Sequence, residues 1–371
     1  MFDTKYNQII EQIAHIDPVA YGRTRNYIDG DVTRLSPYIS RGVISTRYLL
    51  RRVLDAGFEP RKIEKFIQEL AWRDYWQQIW VAKGELINSD LKKLQEDVNN
   101  QEMPQAIAEA VTGIEAIDNA VRDFYQNGYL HNHIRMYIAS IACNIGKSHW
   151  NVPARWMYYH LLDGDWASNA LSWQWVAGSN SGKKYFANQE NINKYCYSNQ
   201  RGTFLDADYN KIAEMETPEV LRSTFMPVLN TPLPKTQTPE IETGKPILIY
   251  NYYNLDPEWK KDIPANRILL LEPSHFRDYP VSGKNIEFMI ALSRNIPGLR
   301  VFTGEFNELM RESGREGKSA SAPTDGIYYK EHPRNKHYCG IEESRDWMFD
   351  VKGYYPSFFA FWKKCRKELT I

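Results

Sequence analysis

The hydrophobic pattern of this chain changes near residue 205, and that change limits the folds it can adopt. Before it, apolar side chains recur at helical spacing, as in 62–83, 114–127 and 131–145. After the proline- and threonine-rich stretch 206–245, short apolar runs alternate with helical segments. The pattern predicts a mainly α-helical domain followed by a smaller α/β domain with a mostly parallel sheet.

The same pattern sets the expected boundaries. We expect a helical domain, an extended linker, an α/β domain and a C-terminal helix, over 1–205, 206–245, 246–345 and 346–371. Within the α/β domain the expected strands are 246–253, 267–273, 299–304 and 325–333, the expected helices are 284–295 and 305–313, and the expected loop is 313–326.

Polar residues mark where two of the helices begin. Ser36 is predicted to cap a helix with Pro37 as its first residue, and Ser45 to open another that ends at Gly57. The hydroxyls of Thr33 and Ser36 at a helix N-terminus suit an anion such as pyrophosphate, although an ordinary cap explains them equally well.

Composition excludes several classes of function. The 46 basic and 46 acidic residues balance, so any contact with DNA depends on a local patch. The cysteines, Cys143, Cys196, Cys339 and Cys365, form no CxxC pair, which argues against a metal or iron–sulfur site and a disulfide scaffold. The first residues do not resemble a signal peptide, and the longest apolar run, 136–145, is too short to span a membrane. We expect a cytoplasmic protein.

Three short motifs do not support a function. The sequence 178–184 resembles a phosphate-binding loop but is one residue short and has Lys184 where a hydroxyl is needed. His131 and His133 point to different sides of a helix, which disfavours a metal pair. No GxGxxG motif opens the α/β segment, so a Rossmann-type dinucleotide site is not supported.

Aromatic residues are concentrated in the helical part, where eight of the 11 tryptophans lie between residues 72 and 175. Glu69, Trp72 and Arg73 share one helical face, where a carboxylate could bind a base edge while the ring stacks on it. Trp72, Trp76 and Trp80 also recur every four residues, as a core stripe would. Both interpretations, aromatic core and binding site, remain open at this point.

The most informative segment is a turn and the helix after it. Two aspartates, Asp163 and Asp165, flank a glycine and precede Asn169 and Trp173, which are one helical turn apart. Paired carboxylates can perform acid–base chemistry or bind an amide-rich ring, and ordinary turn chemistry is the alternative. Arg135, on an apolar helix, needs an acidic partner if it is buried, and Asp163 is the candidate.

Four stretches together resemble the flavin-binding helical domain of the DNA photolyase/cryptochrome family. They occur in family order over about residues 20–186: TRLSPYISRGVIS (33–45), ELAWRDYW (69–76), GIEAIDNAVRDFYQNGYLHNHIRM (113–136) and RWMYYHLLDGDWASNALSWQWVAG (155–178). The resemblance implies an all-helical domain that holds FAD in a bent conformation.

The resemblance also implies roles for individual residues. The FAD phosphates would be bound by Tyr21, Thr33, Leu35 and Ser36, with Arg73 nearby. The flavin ring and its adenine-side contacts would be surrounded by Asn132, Arg135, Asp163 and Asp165, with Asn169 facing N5. Trp173 and then Trp150 would carry electrons to the flavin. The pocket for a flipped pyrimidine dimer would be lined by Glu69, Trp72, Asn132, Met136 and Trp175.

The sequence departs from the family pattern in three respects. No tryptophan lies near 90–112, where an outer electron donor is expected, and Trp80, Trp156, Trp166 or a tyrosine is the alternative donor. The family's usual basic contact after Phe186 is missing. The resemblance begins without the α/β antenna domain, and the order of strands and helices after residue 246 suggests that a shortened, permuted version follows the flavin domain. An unrelated α/β module is the alternative, and an antenna chromophore is uncertain or absent.

The resemblance implies a blue-light-driven repair enzyme for cyclobutane pyrimidine dimers, with FAD as chromophore and damaged DNA as partner, acting as a monomer without membrane association. The main alternative is a cryptochrome-like light sensor without repair activity. A flavin-binding structural or regulatory protein is a third possibility. Repair of (6-4) photoproducts is disfavoured because Asn132 and Met136 stand where that branch has two histidines.

Overall fold

The structure is a computed structural model that describes residues 2–312, 314 and 326–369. Its α-helices in chain order are α1 Tyr6–Ala14, α2 Pro18–Thr24, α3 Ser36–Ser40, α4 Thr46–Asp55, α5 Glu64–Lys83, α6 Gln105–Ala108, α7 Glu115–Asn127, α8 Asn132–Ser140, α9 Asn151–His160, α10 Trp166–Ala177, α11 Gln189–Cys196, α12 Tyr209–Glu214, α13 Pro273–Asp278, α14 Gly283–Ser293, α15 Phe306–Glu312 and α16 Phe358–Cys365. Its strands are β1 Met103–Pro104, β2 Thr224–Phe225, β3 Ile247–Tyr250, β4 Asn266–Leu271, β5 Leu299–Thr303, β6 Ile327–Lys330 and β7 Ile341–Glu343. The predicted fold class, a mostly helical N-terminal region with a C-terminal parallel sheet, is confirmed.

The described chain divides into two compact units. We call residues 17–33 and 75–229 the helical unit, and residues 1–16, 34–74 and 230–371 the sheet unit. The division passes through helix α5, which supplies residues to both units. The two units group residues that are distant in sequence but close in space, so the hydrophobic periodicity of the sequence does not predict this division.

Helix α10 is the most completely buried helix of those that carry the predicted site. Its side chains are apolar on nearly every side, which is typical of a helix enclosed by protein. It begins where the Asp165 carboxylate accepts a hydrogen bond from Ser168 N at 2.7 Å, and it ends at Gly178, whose φ is 88°. The predicted start of this helix at Trp166 is confirmed.

Helices α7 and α8 are separated by a glycine whose role is conformational. Gly128 has a φ of 68°, and a Cβ at this position would lie 2.6 Å from the Leu162 Cγ. The predicted break at Gly128 is therefore confirmed. Helix α8 continues into a π-helical turn at Ile141–Ile145, a feature that the spacing of apolar residues did not indicate.

The sheet unit contains a five-stranded parallel sheet in the order β5-β4-β3-β6-β7. Strands β3 and β4 are buried along their whole length, as expected for central parallel strands. One face packs against α15, and the cluster there comprises Ile247, Ile249, Ile268, Leu270, Phe302, Phe306, Leu309, Met310, Ile327, Tyr329 and Tyr338. The four predicted strands are confirmed, with ends that differ from the prediction by up to three residues.

Two features of the chain differ from the sequence prediction. The stretch predicted to be an extended linker contains α12 and strand β2, because Asp208 caps the helix at Lys211 N and Ile212 is buried. The edge strand β7 was not predicted, because its residues are largely exposed and carry no alternating pattern. Most of the predicted loop 313–326 lies outside the described residues. No helix in the ranges described here is long and apolar enough to cross a lipid bilayer.

Candidate functional site

An ion pair between the partly buried Arg135 and the buried Asp163 joins α8 to the turn before α10 in the helical unit. The Nη2 of Arg135 lies 3.0 and 2.8 Å from the two carboxylate oxygens of Asp163, whose side chain is 3% exposed. The Nε of Arg135 donates to the Leu130 carbonyl oxygen at 2.9 Å, which orients the guanidinium. The prediction that Asp163 is the partner of Arg135 is confirmed. Loss of either partner would leave a charge poorly compensated in the interior.

The second aspartate of the turn has a different role. Asp165 caps α10 through Oδ1, and its Oδ2 accepts a hydrogen bond from Gln77 Nε2. Asp163 and Asp165 are each 5% exposed, so this turn is not the surface turn that was the alternative interpretation. The two carboxylates accept hydrogen bonds from different groups: Asp163 from Arg135, and Asp165 from Ser168 N and Gln77.

The side-chain amide of Asn169, which is 8% exposed, is held in one orientation in the helical unit. Its Nδ2 donates to the Ala154 carbonyl oxygen at 2.8 Å, and this bond orients the side-chain amide. The Oδ1 accepts no hydrogen bond from the described residues, and the neighbouring Ser168 Oγ is buried without a partner among them. Buried polar atoms are normally satisfied, so the Ser168 oxygen fits a bound group with a hydrogen-bonding atom, and the oriented Asn169 Oδ1 can accept from an N–H or O–H donor of such a group.

The tryptophans of α10 face different environments because they lie two positions apart on the helix. Trp173 is 2% exposed and Trp175 is 38% exposed. The Trp175 ring lies beside Tyr185, with 6.1 Å between the ring centroids. Trp150, immediately before α9, is fully buried, and its Nε1 donates to Asp90 Oδ1 at 2.8 Å.

The remaining predicted residues of the helical unit are more accessible. Asn132 opens α8 and is exposed, and its Nδ2 lies 3.9 Å from the Met136 sulfur. Tyr21, on α2, and Thr33 are partly buried. Their positions are compatible with the roles implied by the resemblance, and those roles remain predictions.

In the sheet unit, the face of α5 that carries Glu69 and Trp72 is already engaged. Glu69 pairs with Lys65 at 2.8 Å, one helical turn earlier. The Trp72 ring stacks on Phe358 of helix α16, with centroids 3.8 Å apart and planes 10° apart. Trp76 and Trp80 are buried, as the core-stripe interpretation requires, whereas Trp72 is only half-buried. Trp72 therefore differs from the rest of the stripe.

The helix start near Ser36 differs from the prediction. Leu35 is the N-cap, Ser36 is the first residue of α3, and no side chain caps the helix. Arg34 adopts a φ of 52°, so the chain turns before Ser36 can take the cap position. With only five residues, α3 has a weaker dipole than the sequence argument assumed. Arg73, the other predicted phosphate contact of this unit, donates from Nη1 to Ser40 Oγ at 2.6 Å.

Burial strongly raises the pKa of two carboxyls of the sheet unit, Asp74 and Asp256, and Asp74 lies on α5 beside the predicted site residues. Burial raises the pKa of Asp74 to about 6, although hydrogen bonds from Met348 N and Thr46 Oγ1 oppose the rise. These bonds, at 2.8 and 2.9 Å, connect α5 to the segment before α16 and to α4. Asp74 follows Trp72 and Arg73 on α5, so its ionisation affects the stability of the element that presents them.

Sequence reasoning missed two residues that contact the predicted site. Phe358 is more than 280 positions after Trp72, and no local pattern links them. Asp90 lies in an irregular segment whose only signal is polar composition. His131, in the motif considered for metal, caps α8 by accepting a hydrogen bond from His133 N at 3.2 Å. The residues described contain no cluster of three or more His, Cys, Asp or Glu side chains that could hold a metal ion.

The fold and this geometry define a class of protein: a helical domain with a buried arginine–aspartate pair and open polar acceptors, combined with a parallel α/β sheet. The family model for the FAD-binding domain of DNA photolyase matches residues 66–227. The deoxyribodipyrimidine photo-lyase of Streptomyces griseus is 34% identical over 152 residues, covering 40% of this chain and 33% of that protein. That of Thermus thermophilus is 33% identical over 165 residues, covering 43% and 38%.

Residues 66–227 of this chain therefore match the FAD-binding domain of DNA photolyase, and the chain spans about a third of the length of the curated relatives it matches. Among solved structures, a Synechocystis cryptochrome is 21% identical with a TM-score of 0.48, covering 52% of this chain and 44% of that one. A class III photolyase from Agrobacterium tumefaciens is 23% identical with a TM-score of 0.45, covering 52% and 42%.

Proposed function

We propose that this protein binds FAD and uses light to repair cyclobutane pyrimidine dimers in DNA. The observation that carries the proposal is the free Asn169 Oδ1, oriented by Ala154 within the region that matches the FAD-binding domain. An acceptor held in this way suits the N5–H of a reduced flavin, which needs a hydrogen-bond acceptor of fixed position. Damaged DNA as partner, a monomeric state and a cytoplasmic location are parts of the same proposal.

The residues of the helical unit have distinct roles in this proposal. The Arg135–Asp163 pair places a fixed positive group and a fixed negative group beside each other, with little reorganisation when charge moves nearby. Asn169 accepts a hydrogen bond from the bound ring, and Asn132 and Asp165 complete its surroundings. Tyr21 and Thr33 would bind the phosphates. When bound, FAD supplies the electron that splits the dimer under light.

The proposal also gives binding roles to residues of the sheet unit. Leu35, Ser36 and Arg73 would contact phosphate, and Glu69 would accept a hydrogen bond from a base edge after leaving Lys65. Trp72 offers an aromatic face for stacking of a flipped base, as Trp175 and Met136 do in the helical unit. Because Phe358 is stacked on Trp72, the base would have to displace Phe358 or use the opposite face of the ring.

A light-sensing function without repair is the second candidate, and the Trp72–Phe358 stack favours it. A ring of the protein itself on Trp72 competes with a base for that face. The balance of 46 basic and 46 acidic residues also gives no bulk attraction to DNA.

Two measurements test the proposed function. The purified protein is expected to be coloured by bound FAD, or to bind one equivalent of FAD on reconstitution. The reason is that a flavin supplies the hydrogen-bond donor that suits the acceptor oxygen of Asn169. A protein that takes up no FAD would contradict both functions. Illumination of the reduced protein with dimer-containing DNA, followed by quantification of restored thymine, then separates repair from sensing. FAD binding without any restored thymine would exclude repair and leave light sensing as the function.

A further inference from the structure

The indole N–H of Trp150 donates to a carboxylate rather than to a neutral group. Its Nε1 lies 2.8 Å from Asp90 Oδ1, Trp150 is fully buried, and the Asp90 side chain is 9% exposed. Two other indoles of the helical unit have neutral acceptors: Trp166 donates to Asn88 Oδ1 and Trp156 to the Tyr125 hydroxyl. Trp150 thus has an anionic acceptor in a position where water has little access.

The Asp90–Trp150 pair is held in place from several sides. The other carboxylate oxygen of Asp90 accepts a hydrogen bond from Gln95 N at 2.8 Å, and Gln95 Oε1 accepts one from Trp150 N at 2.9 Å. His149 Nε2 lies 3.4 Å from Asp90 Oδ1. His149 Nδ1 accepts from Asn151 N at 3.3 Å, which places the proton of the neutral ring on Nε2. The carboxylate is therefore preorganised toward the indole.

We propose that Asp90 takes the proton of Trp150 when this tryptophan is oxidised, which makes Trp150 the end of the electron path. The inference rests on the proposed function, because the oxidant is the photoexcited flavin ring acting through Trp173. One electron leaves the Trp150 indole and fills the vacancy on Trp173. The Nε1–H bond then breaks, and the proton moves to Asp90 Oδ1. The products are a neutral indolyl radical and a neutral carboxylic acid.

The physical basis is the acidity of an oxidised indole. Removal of an electron makes the indole N–H a far stronger acid, close in strength to a carboxylic acid, whereas the neutral indole does not release its proton. An adjacent carboxylate also stabilises the positive charge before the proton moves, most effectively where burial limits screening. Loss of the proton lowers the driving force for the electron to return, which prolongs the charge-separated state.

This role also accounts for a gap in the sequence. No tryptophan occurs between Trp80 and Trp150, so an outer donor is missing from the segment where the family resemblance placed one. Proton transfer to Asp90 traps the oxidised state on Trp150 without a further electron-transfer step. His149, whose side chain is 18% exposed and whose Nε2 lies 3.4 Å from Asp90 Oδ1, can later exchange the proton with solvent.

The test is transient absorption after a light pulse on the FAD-loaded full-length protein. In the wild type we expect the spectrum of a neutral tryptophan radical, formed with a slower rate in D2O than in H2O. Asp90→Asn keeps an acceptor oxygen for the indole but has no negative charge. This variant should show the tryptophan radical cation instead, decaying at least tenfold faster, with no solvent isotope effect. Asp97→Asn is the matched control, because the Asp97 carboxylate contacts Lys184, and it should behave like the wild type.

A radical cation that persists in the wild type, or identical kinetics in wild type and Asp90→Asn, would overturn the role of Asp90. If Asp90→Asn does not retain FAD, the wild-type spectrum and its isotope effect still decide the question. Failure of the proposed function gives a different result, since a protein without FAD forms no light-induced tryptophan radical in the wild type or in either variant.

Discussion

The stack of Phe358 on Trp72 gives a quantitative prediction for DNA binding. A base that stacks on the same face of Trp72 must first displace Phe358. The displacement breaks an aromatic pair, which is worth about 0.5–1.5 kcal/mol in addition to the free energy of burying its apolar surface. Phe358→Ala removes this competition. Because about 1.4 kcal/mol corresponds to a tenfold change in affinity, the variant should bind dimer-containing DNA about twofold to tenfold more tightly. Binding to undamaged DNA, which depends on phosphate contacts, should not change.

The assay is equilibrium binding of both DNAs to the FAD-loaded protein, accompanied by a thermal melt. Phe359→Ala is the matched control, since Phe359 is the next residue of the same helix and is 69% exposed. Phe358→Leu preserves apolar volume without a flat ring, so it separates loss of stacking from loss of packing. The reasoning is refuted if Phe358→Ala retains its melting temperature and FAD but binds damaged DNA no more tightly than Phe359→Ala does.

Three further predictions concern the electron path, pH and the backbone. Trp173→Phe should slow flavin photoreduction at least tenfold and leave repair by pre-reduced protein intact, and unchanged transient absorption would exclude Trp173 from the path. The folded-state pKa of Asp74 is about 6 against a reference value of 3.8, so folding favours the protonated carboxyl. Stability should therefore fall by about 3 kcal/mol as pH rises from about 3 to about 7. In urea unfolding, Asp74→Asn should lack that decline, and equal declines in both proteins would contradict the assignment. Gly42 has a φ of 64° and a carbonyl oxygen 2.3 Å from the position of a Cβ, whereas Gly57 has a φ of 89° and open space. Gly42→Ala should lower the melting temperature several degrees more than Gly57→Ala. Equal decreases in melting temperature would show that the backbone moves away from the new Cβ at residue 42 without a cost in stability.

Local sequence signals were sufficient for most elements and for part of the site. Ser45 caps α4 as predicted, because a cap depends on a side chain and the backbone N–H groups two or three residues later. The start of α10 at Trp166 was also predicted, although its cap, Asp165, was not. The central strands were recognisable from β-branched and leucine-rich runs that are buried on both faces. The Arg135–Asp163 pair was predictable because an arginine in an apolar helix requires an acidic partner. Strand β7, the π-helical turn and helix α12 were not predicted, because the local sequence there gave weak or contradictory signals for secondary structure.

The amino-acid sequence by itself determined the class of fold, many of the helix boundaries and the residue types present in the candidate site, since each depends on neighbours within a few turns of the chain. Only the tertiary structure decided what those residues touch. It brought Phe358 onto Trp72, placed Asp90 at the indole N–H of Trp150, and oriented the Asn169 amide through Ala154. The physical reason is that such contacts join residues between 15 and 286 positions apart. Their geometry depends on how the elements pack, which no local periodicity specifies.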